Sequence, residues 1–140
     1  MSIISLASTF LFAFAAEASD LKIQITGLRS DAGFVLVALH DRADAFPQDT
    51  SRAVAGVKLK PSRGAVSHTF KDLRPGTYAF AAIHDENNNG KLDTNPFGLP
   101  KEGFGFSRDP RVQFSAPRFD EAAFPVEGAL VTERAKAQYL

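Results

Sequence analysis

Side-chain oxygens recur on alternate residues at Asp85, Asn87 and Asn89, Gly90 follows at once, and Asp93 stands three residues beyond it. Donors spaced in this way can converge on one hard cation such as Ca2+, and the glycine lets the chain turn sharply around it. In a helix-loop-helix calcium loop, ligands come from positions one, three, five, seven and nine, and a bidentate glutamate closes the site at twelve. Asp85, Asn87, Asn89, the Lys91 carbonyl and Asp93 fill the first five of these. Position twelve is Pro96, which has no ligating side chain, and the residues before Asp85 read as a strand, so this is no EF-hand. Two carboxylates and two amides predict weak binding, on the order of 10⁻⁴ to 10⁻³ M. Glu86 or Glu102 would add a third carboxylate, but nothing in the sequence places either. A metal-free turn is the competing reading, because Asn and Asp hydrogen-bond their own backbone and tolerate positive φ. Both readings stand at this point.

Two His-Asp pairs, His40-Asp41 and His84-Asp85, each close an apolar run. If the two strands put both imidazoles at one edge, a metal site becomes conceivable, and a small metal-dependent hydrolase using His40, His84 and nearby carboxylates is the alternative function. The plainer reading is that each histidine caps its strand and meets solvent or a loop carbonyl. No Gly-x-Ser-x-Gly elbow, Walker A loop or strand-led dinucleotide fingerprint occurs, so the expectation is a non-enzyme with no catalytic residues and no cofactor beyond Ca2+. The chain has no cysteine, which excludes disulfides, thiolate metal sites and a cysteine nucleophile. Lys plus Arg and Asp plus Glu both number 16, so there is no basic field to draw a nucleic acid or an anionic membrane.

The elements that must position these residues read as strands. Ile3 to Ala16 is almost continuously apolar or small and ends in a small-x-small pattern at Ala16-Glu17-Ala18, which predicts a signal peptide over 1–18, although no Lys or Arg precedes the run. The expected mature domain is 19–140, exported to the periplasm or beyond, with no transmembrane segment. Period-two alternation predicts strands over Leu21–Gly27, Ala53–Lys60, Ala65–Phe70 and Thr77–His84, Phe34–His40 is a run continuous enough for a strand buried on both sides, and weaker strands are expected at Val112–Ser115 and Gly128–Ala135. Residues 41–52 read as a loop anchored by Phe46, and Pro75-Gly76 fits the centre of a type II turn. Asp120 to Phe124 could make one helical turn. Residues 85–110 form a long Gly-, Asn- and Pro-rich loop whose Phe97, Leu99, Phe104 and Phe106 need a surface to cover, and Gly103 and Gly105 would let it lie close to the sheet. Seven short strands without long helices give an all-β sandwich in one domain.

The run Leu73-Arg74-Pro75-Gly76-Thr77-Tyr78, the stretch His84 to Asp93, and Pro100 to Ser107 together resemble the DUF2141 family of small exported bacterial proteins. The Leu-x-Pro-Gly-x-Tyr element is similar to a turn and strand of transthyretin-like sandwiches. The resemblance therefore implies a seven-stranded immunoglobulin-like or transthyretin-like fold, and it implies no activity. The expected role is a binding or structural module for an unknown protein or cell-envelope partner. A subunit docking by an edge strand is a further alternative.

Overall fold

The computed structural model describes residues 9–11, 17–112 and 114–140. The leader expected over 1–18 lies mostly outside the described residues, which include only 9–11, 17 and 18 of it. Among those residues the chain forms eight strands: β1 (Ser19–Thr26), β2 (Phe34–His40), β3 (Ala55–Leu59), β4 (Val66–Leu73), β5 (Gly76–Asp85), β6 (Gly103–Phe106), β7 (Phe124–Val126) and β8 (Leu130–Lys136). A single turn of helix, α1 (Phe119–Ala122), precedes β7. No helix among the described residues is long and apolar enough to cross a membrane.

The strands make two sheets. One has the order β4-β1-β8, with β4 antiparallel and β8 parallel to β1. The other runs β3-β2-β5-β6, and β7 pairs with the first residues of β5, from Gly76↔Val126 to Tyr78↔Phe124. Alternation decides which side chains meet between the sheets, since successive residues of a strand point to opposite faces. Leu21, Ile23 and Ile25 of β1 face Val35, Val37 and Leu39 of β2 and Phe80 and Ala82 of β5 in one core. Fully burying a side chain such as Phe80 contributes roughly 2–3 kcal/mol.

The second sheet is covered on its other side as well. Phe46, Ala79, Phe104, Phe106 and Ala122 form a smaller cluster there, with Val112 and Phe119 packed against it. Double burial explains why β5 reads as a nearly continuous apolar run rather than a clean alternation.

Eight strands rather than seven follow from three local differences. Gly103–Phe106 is not loop lying on the sheet but its edge strand, paired with β5 from Ala81↔Phe106 to His84↔Gly103. The expected strand at Val112–Ser115 does not form, as Val112, Phe114 and Ser115 lie in irregular chain, and Phe124–Val126 takes the pairing instead. Phe97 and Leu99 do not cover a surface, for Phe97 is 89% and Leu99 40% exposed. The turn before β5 also differs. Gly76 does not have the positive φ that a type II turn asks of it, while Asp72 does, at 56°. There β4 bulges against β1, and the Asp20 carboxylate accepts the Asp72 N–H (3.2 Å) and Lys71 Nζ (3.0 Å).

Candidate functional site

β5 delivers Asp85 to the rim of the sandwich, paired with Phe34 of β2. The Asp85 side chain is fully buried. Its two oxygens accept the backbone N–H groups of Asn89 (3.0 Å) and Gly90 (2.8 Å), so the carboxylate wraps the loop around itself. Asn88 and Gly90 make the turn with φ of 55° and 81°, a region open to Asn and Gly.

Asp93 closes the other side. Its carboxylate accepts the Asn87 amide at 2.5 Å and the Asn89 amide at 2.6 Å, while Asn89 Oδ1 accepts the Lys91 N–H at 3.2 Å. The Asn89 and then the Asn87 donors hold the Asp93 carboxyl below its ordinary value of 3.8. That interaction is present above the ordinary value and is lost as pH falls through the lowered native one. The structure therefore brings Asp85, Asn87, Asn89 and Asp93 into one knot of loop, with Lys91 contributing backbone and an exposed side chain.

Glu102 is the residue that the sequence could not place. It is 6% exposed and stands just before β6, where its oxygens accept the N–H groups of Glu86 (2.5 Å) and Asp93 (3.1 Å). It ties the two ends of the loop together. No local signal gives this away, because it is the pairing of Gly103 with the distant His84 that sets Glu102 beside Asp85-Glu86. An open depression of about 460 Å³ lies between Glu86, Asn87, Asp93, Thr94, Lys101 and Glu102.

Beyond Asp93 the chain makes a tight hairpin. Asn95 Oδ1 accepts the N–H groups of Phe97 (2.9 Å) and Leu99 (3.0 Å), and the Asn95 N–H reaches Leu99 O at 2.8 Å. The exposed Phe97 is thus held at the tip of an ordered turn.

The two histidines do not meet. β2 and β5 are antiparallel, with His40 opposite Ala79 and His84 opposite Val35. Five strand positions, roughly 17 Å, separate them. Strand direction thus overturns the two-histidine hydrolase reading. Among the described residues no three His, Asp or Glu side chains cluster as a metal centre.

Neither histidine faces solvent, for both are buried, but His84 does meet a loop carbonyl. His84 Nε2 lies 2.8 Å from the Ala32 carbonyl, to which it must donate, and Nδ1 lies 2.8 Å from Tyr139 Oη. Tyr139 Oη also accepts the Arg29 N–H at 3.1 Å, and the Arg29 guanidinium stacks 4.5 Å from the Tyr139 ring centre and pairs with Glu86. A chain of contacts therefore runs from the C-terminal tail to the base of the loop.

That chain requires a bare backbone at Gly103, where a Cβ would lie 2.4 Å from the Tyr139 ring. A Gly103→Ala substitution is expected to displace Tyr139 and cost roughly 1–3 kcal/mol. Urea unfolding would measure the loss, and a Gly103→Ala, Tyr139→Ala double variant should behave like Tyr139→Ala alone.

A family model described as an uncharacterized protein conserved in bacteria (DUF2141) matches residues 23–133. The match takes in every strand but parts of the first and last, and it includes the whole loop. No curated protein and no solved structure gives a significant match.

Proposed function

The chain belongs to the DUF2141 family, and on that premise we propose that it is an exported, non-enzymatic binding or structural module. Its working element is the 85–102 loop, and its ligand is a hard cation of the Ca2+ type. Asp85, Asn87, Asn89 and Asp93, with the Lys91 carbonyl, are the donors, and the partner is a protein or cell-envelope component met at that rim. The leader-like segment at 1–18 supports export.

One observation supports the cation above all. Asp85, Asp93 and Glu102 are three carboxylates on one loop, and among the described residues none has a Lys or Arg partner, whereas the adjacent Glu86 is paired with Arg29. Backbone N–H groups and amides meet these carboxylates without supplying a countercharge, and a divalent ion drawn in between Asp85 and Asp93 would supply one. Asn87 and Asn89 each have an amide oxygen that can replace the nitrogen now facing Asp93.

Thermal melts of the folded chain should show the midpoint rising with calcium at millimolar concentration and returning with chelator, by the mass action of a ligand bound to the native state alone. At 10 mM against a Kd near 10⁻³ M, the gain is about 1.4 kcal/mol, or roughly 4–6 °C. Asp93→Asn should remove most of the shift. A midpoint that ignores 10 mM calcium would leave the loop as a metal-free Asx turn.

A further inference from the structure

His40 closes β2 on the face of the sheet away from the main core, opposite Ala79. The ring is fully buried, and among the described residues neither Nδ1 nor Nε2 has a hydrogen-bond partner. Its stacked neighbour is Phe46, which meets it edge-on with ring centres 5.6 Å apart. Phe46 packs edge-on against Phe106 and Phe119 in turn, at 6.1 and 5.9 Å.

The 41–54 segment that carries Phe46 is lightly tethered. Its internal bonds are the N–H groups of Asp49 to Ala45 O, Thr50 to Gln48 O, Arg52 to Asp49 O and Ala53 to Thr50 O, the last closing a 3-10 turn over Thr50–Arg52, and side-chain contacts among Asp44, Asp49, Ser51 and Arg52. Among the described residues its backbone tie to the sheet is the Val54 N–H donated to Leu39 O at 2.7 Å. Buried Ala45 and Phe46 hold the rest down.

We propose that His40 is a proton-operated release for this 41–54 flap, such that a proton on the buried ring lifts Phe46 away and uncovers the apolar surface of β5 and β6 beneath it. An imidazolium here would bring two N–H donors into a pocket with no acceptor, and opening would hydrate both. Burial accordingly keeps the closed ring below its ordinary value of 6.5, against the partial attraction of Asp49 and Asp41. Other flap charges are exposed and engage one another, with Arg42 and Arg52 both on Asp44. The remaining elements packed here present Ala79, Phe106, Phe119 and Ala122, none of which titrates. The charged residues of α1, Asp120 and Glu121, are exposed, and they bond to Arg118.

The open form takes up the proton first, so the opening equilibrium grows as pH falls below about 6.5. If the closed ring stays neutral, that growth reaches about thirtyfold between pH 7.5 and 5.

Amide hydrogen exchange of the full chain tests the device. The Val54 amide, corrected for intrinsic exchange, should lose protection by up to about thirtyfold over that interval while Ile23 of β1 holds, and His40→Phe should abolish the difference. Constant Val54 protection would overturn the proposal, as would the same acid loss in the variant or a loss shared with Ile23. Should the variant fail to fold, NMR titration of the His40 ring in the unaltered chain decides instead. A ring that protonates near 6.5 with flap protection unchanged overturns the proposal, and one that stays neutral until the flap opens supports it.

Discussion

Replacing Gly33 with alanine is expected to cost about 3 kcal/mol or more and to lower the Tm by roughly 10 °C. Gly33 sits between β1 and β2 with φ of 63°. A Cβ there would lie 2.0 Å from the Asp85 carbonyl oxygen and 2.7 Å from the Glu86 backbone. Those atoms cannot swing aside, because Asp85 is locked into the β2–β5 ladder opposite Phe34 and the Glu86 N–H is held by Glu102. The clash must therefore move the root of the loop itself. Backbone strain adds to it, since alanine at positive φ costs about 1 kcal/mol. Gly90→Ala is the informative control, for its φ is 81° but nothing lies within 4 Å of the added carbon. It should cost about 1 kcal/mol alone. Equal losses at the two positions, measured by thermal and urea unfolding, would show that the close approach at Gly33 is relieved elsewhere.

How far the sequence could be read depended on whether a feature is local. Leu21–Gly27 is legible as a strand because alternation is written in consecutive residues, and Phe34–His40 because it is a short unbroken apolar run; the strands form at Ser19–Thr26 and Phe34–His40. Gly103–Phe106 was not legible as a strand, since two of its four residues are glycines that strands ordinarily avoid. It pairs because β5 offers an edge and because a bare backbone at Gly103 admits Tyr139. The exposure of Phe97 was hidden for a related reason. Asn95 closes a hairpin that needs no hydrophobic anchor. For the site, the Asp85 to Asp93 spacing was visible, but Glu102 and the separation of His40 from His84 are consequences of antiparallel register, which only the pairing of distant segments creates.

The same register makes Asp85 the most sensitive side chain of the loop, and Asp85→Ala is expected to cost about 2–4 kcal/mol. The alanine leaves the N–H groups of Asn89 and Gly90 without the oxygens they now meet at 3.0 and 2.8 Å, in a place where the native side chain is fully buried. Asp85→Asn should cost roughly half as much, since one amide oxygen can still accept while its NH2 group faces a donor. The losses should appear as a lower urea midpoint at unchanged slope, which marks a change of stability rather than of the unfolded ensemble. Calcium then separates the loop's structural use of this carboxylate from its use as a ligand. If the cation reading holds, added calcium widens the gap between the native chain and both variants, because only the native chain gains stability from binding. If the gap is the same with calcium and with chelator, Asp85 acts as a cap for the Asn89-Gly90 turn and nothing more. An Asp85→Ala chain within about 0.5 kcal/mol of the native one would contradict both roles, because the part-buried bonds from the Asn89 and Gly90 N–H groups would then contribute almost nothing.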